Sequence, residues 1–402
     1  MQNQNFIIVG GGQAGRRAAE VLRQRAPDAR ICIIGDETHL PYDRPSLSKD
    51  ALLDEEREQH AFIRDFAYYE SQRIEVRLGQ KVTAINRADR LLSLSDGSEI
   101  AYDRLLLATG SRVRKLHGGP VHYLRTLDDA RHLRMRLAQG ARVVIVGGGF
   151  IGLEVAATAI GRGCAVTLVE PADRLLKRSM PPEVSEFMRQ LHVSRGVTFR
   201  LETQVTDIQQ APDGSVRVAT SEGDLFADVV VAGIGVIPNT ELAEQAGLEV
   251  RDGIVVNDEC RTSDPNIFAA GEVTQHFVSS AGRHVRVESW QVAEKQPAVA
   301  AANMLGDTER YDETPWLWSD QYDCNVQSLG TFEDAHTVVL RGAVTDGAFS
   351  MIGLNDAGNV RAAVTVNNGK DMAIFVRMVA AGPVDRNQLA DTSVSLRSLL
   401  KR

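Results

Sequence analysis

The 402-residue chain reads as an α/β fold made of two copies of one strand–turn–helix unit and a closing α+β segment. Three observations lead there. Gly is abundant, 34 residues against 13 Pro, with no repeating period, so the excess serves particular turns. Phe6-Ile-Ile-Val-Gly-Gly-Gly-Gln-Ala-Gly15 returns at residues 143–152 as Val-Val-Ile-Val-Gly-Gly-Gly-Phe-Ile-Gly. From Pro315 the texture changes to short β-rich runs separated by turns such as Asp346-Gly347.

In each copy an apolar run leads straight into Gly-Gly-Gly-x-x-Gly. Apolar residues on both faces predict a strand buried in a parallel sheet. Helices follow over Arg16–Gln24 and Leu153–Arg162, then short strands over Ile31–Ile34 and Val166–Val169. Those strands end beside acids, Asp36 and Glu37 in one copy and Glu170 in the other, about twenty residues past the last Gly. Further strands are expected at Leu105–Ala108 and Val229–Ile237, with hairpins at Leu91–Tyr102 and around Ala211–Gly214. The last segment should hold strands over Asn325–Leu329, Thr337–Arg341, Phe349–Ile352 and Val360–Val366. Helices near Asp371–Ala381 and Gln388–Leu400 should close it.

Length points to two or three domains. Apolar residues at 43% and charged residues at 24% describe an ordinary globular chain. A net charge of −8 argues against general affinity for nucleic acid or an anionic membrane. The longest apolar run, Val229–Pro238, is about half of what a membrane-crossing helix needs, and no secretory signal is visible. Cys32, Cys164, Cys260 and Cys324 are far apart, and the nine His show no ligand spacing, so no metal site is expected. Sparse cysteine fits a cytoplasmic location.

The Gly turns carry the chemistry. Gly10, Gly12 and Gly15, and again Gly147, Gly149 and Gly152, let backbone N–H groups approach a pyrophosphate at a helix N-terminus. Two such units are two Rossmann-like dinucleotide-binding domains, hence two cofactors, and the usual reason is hydride transfer between a nicotinamide and a flavin. Asp36 or Glu37 would bind the adenosine ribose at the first site. Glu170 would do so at the second, where a carboxylate favours NADH by repelling a 2′-phosphate.

The whole chain resembles the FAD-dependent NADH:ferredoxin reductases of bacterial aromatic-ring dioxygenase and cytochrome P450 systems, within the glutathione-reductase-like flavoproteins. Besides both Gly turns, the resemblance rests on Pro41-Tyr-Asp-Arg-Pro-Ser-Leu-Ser-Lys49 and Leu106-Leu-Ala-Thr-Gly110. It continues through Val231-Ala-Gly-Ile-Gly-Val-Ile-Pro-Asn239, Thr262 to Glu272, and Trp316-Leu-Trp-Ser-Asp-Gln321. It implies an FAD-binding domain over 1–111 and 239–314, an NAD-binding domain over 112–238, and a C-terminal α+β interface or dimerisation-like domain over 315–402.

The resemblance also implies FAD contacts for Ala14, Asp36, Arg44, Lys49, Val82 and Arg125. Further cofactor contacts are implied for Ala108, Thr109, Gly110, Ile151, Gly235, Gly271, Ser289 and Trp290. Glu272 stands where the family usually has Asp. Lys49, an ordinary solvated lysine on its own, becomes an ammonium near the flavin partnered by Glu154, and Trp318 lies over the flavin. Lys49 and Glu154 are expected to position and tune rather than to transfer protons.

Residues 39–47 contain no Cys, where disulfide-reducing relatives carry a redox pair and oxidases a single thiol. Electrons must therefore leave the flavin directly. The implied acceptor is a [2Fe-2S] ferredoxin, of Rieske or plant/vertebrate type, feeding a terminal oxygenase that the reductase never touches. Monomer and homodimer both fit. Rubredoxin reduction and Cys-independent NADH oxidation remain as alternatives, as does an NADH-responsive interaction protein.

Overall fold

A computed structural model describes residues 4–400. Its packing divides the chain into two compact units. Met1–Pro45, Glu58–Arg112 and Val236–Pro315 form the first; Ser46–Arg57, Val113–Gly235 and Trp316–Arg402 form the second.

The first unit is built on a five-stranded parallel sheet ordered Ile267–Ala269, Arg104–Leu107, Asn5–Val9, Arg30–Ile34, Ile74–Arg77. Phe6, Ile8, Ile31 and Ile33 face the helices Gln13–Arg25 and Trp290–Met304. Ile7, Val9, Cys32 and Ile34 face the opposite way, toward Leu92, Leu94 and Tyr102. Both faces are covered, which is why the strands read as unbroken apolar runs. The hairpin expected at 91–102 belongs to a three-stranded antiparallel sheet of Val82–Asn86, Leu91–Leu94 and Glu99–Ala101.

The second unit repeats the plan with four parallel strands ordered Thr198–Arg200, Ala165–Val169, Arg142–Val146, Val229–Ala232. Its C-terminal part is an antiparallel sheet ordered Trp316–Gln321, Cys324–Gly330, Val360–Val366, Ala348–Leu354, Thr337–Ala343. The helix Gly369–Ala380 lends Met372, Phe375 and Met378 to the core on that sheet. Ser46–Arg57 is held in this unit by two arginines. Arg134 donates to the carbonyls of Ala51 at 2.7 Å and Asp54 at 3.2 Å, and Arg162 donates to that of Leu53.

Three expectations change in detail. The helices start earlier, at Gln13 and Phe150, because the last Gly of each motif lies inside the first helical turn. A Cβ on Gly15 or Gly152 would stand 2.0 Å from the carbonyl oxygen of Gly10 or Gly147, so only Gly lets the helix pass so close to the turn. The expected strand Val229–Ile237 is two strands. Val229–Ala232 joins the parallel sheet and Val236–Pro238 pairs with Ser111–Val113, the break falling at Gly233 and Gly235, whose φ is +99°. The expected helix Gln388–Leu400 is only Arg386–Ala390 followed by a single 3₁₀ turn, Leu396–Leu399. There Asp391 Oδ1 accepts from Ser393 N and Oγ, and Arg341 takes the carbonyls of Leu389, Asp391 and Val394. One local side-chain turn and one long-range arginine thus outcompete the helix.

Candidate cofactor and redox sites

In the first unit the strand Asn5–Val9 delivers Gly10 at φ +124°, where a Cβ would lie 2.1 Å from the Ala108 carbonyl oxygen. Gly12 caps the following helix, and a Cβ there would meet no described atom within 4 Å. Among the described residues no side chain caps that helix, and its first turn holds no acid. The helix N-terminus therefore offers its N–H groups and its dipole to an external anion, with room for a phosphate beside Gly12. Gly271 (φ +88°) closes in from the side, since a Cβ on it would stand 3.1 Å from Ala14 Cβ. Thr109 Oγ1 donates to Asn239 O at 2.8 Å and Asn239 Nδ2 returns a bond to Thr109 O at 2.9 Å, fixing Ala108–Gly110.

The acids sort themselves by register. Val9 pairs with Ile34 and Val146 pairs with Val169, so Glu170 occupies the place of Gly35, not of Asp36 or Glu37. Glu37 is engaged within the protein: Tyr42 Oη donates to it at 2.6 Å and Arg44 Nη2 at 2.8 Å. Asp36 is exposed. Burial alone would lower the Arg44 pKa, but Tyr42, Glu37 and Glu272 around it raise it, so the guanidinium stays charged.

Val82 is buried at the start of its strand. Ser289 is the N-cap of Trp290–Met304 and accepts from Val292 N, a structural duty. Trp290 Nε1 donates to Asp43 at 3.1 Å, opposing the rise in the Asp43 pKa that burial causes.

In the second unit Gly147 repeats the crossing, its hypothetical Cβ 2.4 Å from Gly233 O, and Gly149 repeats the open cap. Here the strand-end acid closes on the turn. Glu170 accepts from Gly148 N at 2.6 Å and Ala172 N at 2.8 Å. Arg174 is spent on Met180 O, Ser185 Oγ and Lys177 O, so the cation nearest Glu170 in sequence already serves the loop. Ile151, 45% exposed, presents an apolar side chain at the helix start. Gly235 accepts from Arg114 N across the ribbon. Arg125 N bonds Asp129, just ahead of the capping box Thr126–Asp129.

Lys49, Glu154 and Trp318 also lie in this unit. Lys49 Nζ meets Glu154 Oε1 at 2.9 Å; the carboxylate is buried and the lysine side chain is 24% exposed. Glu154 further accepts from Ser319 Oγ at 2.6 Å and from Ser48 Oγ, and Thr158 Oγ1 holds Ser48 O at 2.7 Å. Trp318 stacks on Trp316, centroids 5.1 Å apart at 24°. Gln321 Nε2 donates to Ser319 Oγ at 3.0 Å, and Gln321 Oε1 lies 2.7 Å from His192 Nε2. Burial lowers the His192 pKa, partly opposed by that bond.

Sequence reading quoted Ser48 and Gln321 only within their motifs, with no role of their own, and did not reach His192. The available signal for His192 was its place in a buried stripe with Val184 and Met188 at intervals of four. The four cysteines are buried and unpaired, and burial raises their pKa values, to about 12 for Cys32 and about 11 for Cys324. Low-pKa thiols are the reactive ones, so these are inert packing groups. No helix among the described residues is long and apolar enough to cross a membrane.

Residues 4–297 match the pyridine nucleotide-disulphide oxidoreductase family and residues 316–400 match a reductase C-terminal domain. The anthranilate 1,2-dioxygenase system ferredoxin–NAD(+) reductase component of Burkholderia cepacia is 54% identical, with 100% of both chains covered. Putidaredoxin reductase of Pseudomonas putida is 40% identical over 99% of this chain and 97% of that one. The crystal structure of a covalent putidaredoxin reductase–putidaredoxin complex superposes with a TM-score of 0.94 at 39% identity, covering 99% of this chain and 98% of that one. The duplicated Gly turns, the two parallel sheets and these full-length likenesses agree: the chain belongs to the pyridine nucleotide-disulphide oxidoreductase family, in its ferredoxin–NAD(+) reductase branch.

Proposed function

We propose that the protein is an NADH:ferredoxin oxidoreductase that takes a hydride from NADH onto FAD and passes single electrons to a [2Fe-2S] ferredoxin serving an oxygenase. The observation that carries the reading is a pair of uncapped, acid-free helix N-termini in one chain, each with open space where a phosphate would sit. The names of the relatives supply the acceptor. FAD, when bound, supplies uptake of two electrons as hydride and their release one at a time.

The residues fit that cofactor pair. Gly10–Gly12 and the helix start at Gln13 would hold the FAD pyrophosphate, Asp36 the adenosine ribose, and Arg44 with Glu272 the neighbouring arm. Gly147–Gly149 would hold the NADH pyrophosphate, and Glu170 both ribose hydroxyls. With Arg174 engaged in its own loop, NADH is favoured over NADPH. Lys49, held by Glu154, would be the family's flavin-facing lysine, and Trp318 would lie over the flavin. No thiol occupies residues 39–47, so electrons leave without a sulfur relay.

The three-domain division belongs to this reading, with 1–111 and 239–314 around FAD, 112–238 around NADH, and 315–402 last. So does a cytoplasmic location, supported by four unpaired thiols. An acidic ferredoxin would dock on local positive charge, for which exposed Lys295 and Arg310 and the partly paired Arg64 are the candidates.

Anaerobic stopped-flow with NADH and a [2Fe-2S] ferredoxin tests the proposal. Bleaching of the flavin followed by ferredoxin reduction that slows with added salt is expected. Flavin bleaching with no ferredoxin turnover, or oxygen consumption that needs no carrier, would overturn it.

A further inference from the structure

The Lys49–Glu154 pair is the end of a longer hydrogen-bonded chain inside the second unit. From Glu154 Oε1 it runs to Ser319 Oγ (2.6 Å), Gln321 Nε2 (3.0 Å), and then from Gln321 Oε1 to His192 Nε2 (2.7 Å). His192 Nδ1 lies 3.1 Å from Tyr322 Oη. Glu154, Ser319, Gln321 and His192 are all buried, His192 completely, while Tyr322 is half-buried beneath the Arg195 guanidinium, 5.2 Å from its ring centre.

Only one direction of donation satisfies every member. The Glu154 carboxylate, facing the Lys49 ammonium, accepts; Ser319 must therefore donate to it and can only accept from Gln321. The Gln321 amide then presents NH₂ to Ser319 and its oxygen to the imidazole, so His192 Nε2 must carry a proton. Reversing the amide would turn the Ser319 hydroxyl toward Gln321 and leave two acceptors opposed at Glu154. With His192 neutral, Nδ1 is a bare acceptor for the Tyr322 hydroxyl. A buried imidazole with both nitrogens committed is costly to install where Phe199 and Tyr322 already supply aromatic packing.

We propose that His192 is a positioning residue for the Lys49–Glu154 pair. Its Nε2-protonated tautomer fixes Gln321, Gln321 fixes Ser319, and Ser319 holds the Glu154 carboxylate in the orientation that anchors the Lys49 ammonium. The proposal rests on the reading of Lys49 and Glu154 as groups that serve flavin reduction, and its test separates the two.

Holoprotein labelled with ¹⁵N-histidine, with the His192 signals assigned by their loss in His192→Gln, should show a neutral imidazole protonated at Nε2 between pH 6 and 8. A proton on Nδ1, or a doubly protonated ring in that range, overturns the chain whatever the enzyme's rate. In single-turnover reduction by saturating NADH, His192→Phe should slow the flavin step about three- to tenfold with little change in the NADH concentration for half-saturation. His192→Gln, which keeps an N–H donor at the same reach, should recover most of the rate. In a Glu154→Gln background His192→Phe should add little. An unchanged rate in FAD-loaded His192→Phe, or an equal further loss in the Glu154→Gln background, refutes the positioning role. A wild-type rate in Glu154→Gln with the Nε2 tautomer intact would instead overturn the reading of the ion pair.

Discussion

The two Gly turns are nearly the same in sequence and differ in what faces them. Opposite Gly11 stands Gly35, so close that a Cβ on Gly35 would lie 3.1 Å from Gly11 Cα; nothing but backbone fits. Opposite Gly148 stands Glu170, whose carboxylate takes the Gly148 N–H. The first turn thus leaves its N–H groups outward and moves its acids one and two residues along, to Asp36 and to Glu37 in its contact with Arg44. In the second, one turn N–H, that of Gly148, is already taken by the protein's own side chain, while the helix start beyond it stays uncapped. If the first turn holds FAD and the second NADH, as proposed above, this difference would suit one pocket that stays filled and one that empties at each turnover.

That contrast can be broken most severely at the crossings. Gly10→Ala forces a Cβ to 2.1 Å from a backbone oxygen at a positive φ and should cost at least about 3 kcal/mol, seen as loss of soluble, FAD-containing protein. Gly12→Ala has open space within the chain, so circular dichroism should show it folded, yet its methyl would fill the phosphate cradle and FAD retention should fall at least tenfold (about 1.4 kcal/mol). If Gly12→Ala binds FAD normally, the cradle is not where the cofactor sits.

Glu170→Gly copies the first turn into the second. The half-saturating NADH concentration should rise about ten- to thirtyfold, by loss of charge-assisted bonds, while FAD content stays constant and the preference over NADPH shrinks. A rise for NADPH as large as for NADH would show that Glu170 does not discriminate.

A smaller effect should appear in the first unit on acidification. His276, buried in the first unit beside Tyr311, has its pKa lowered to about 4 by burial. A folded-state pKa below the ordinary 6.5 means stability present above pH 6.5 and lost as pH falls toward 4. Between pH 7 and 5.5 the loss should be on the order of 1 kcal/mol, read as earlier thermal release of FAD, and His276→Asn should flatten that slope.

The turns were legible in sequence because only Gly satisfies the crossings, and the central strands because both sheet faces are covered. The strand ends at Ile34 and Val169, with their acids just beyond, were legible too. What the apolar runs did not carry is the pairing of Val9 with Ile34 and Val146 with Val169, which puts Glu170 at the place of Gly35 and not of Asp36 or Glu37. The final helix failed because Arg341, distant in sequence, draws the carbonyls of Leu389, Asp391 and Val394 out of register. Lys49 and Glu154 could be named from their motifs. The chain behind them could not, since His192 in a helix stripe looks like any core position until the Trp316–Gln321 strand is packed on it.

The buried cysteines have a practical reach beyond electron transfer. Cys32 and Cys260 lie in the first unit, Cys164 and Cys324 in the second, and all four thiols are shielded and poorly ionised. Each modifying reagent must wait for its host region to open, so timed alkylation followed by peptide mapping becomes a clock with two hands. It reports how often each half of the molecule comes apart, without any label having to be introduced.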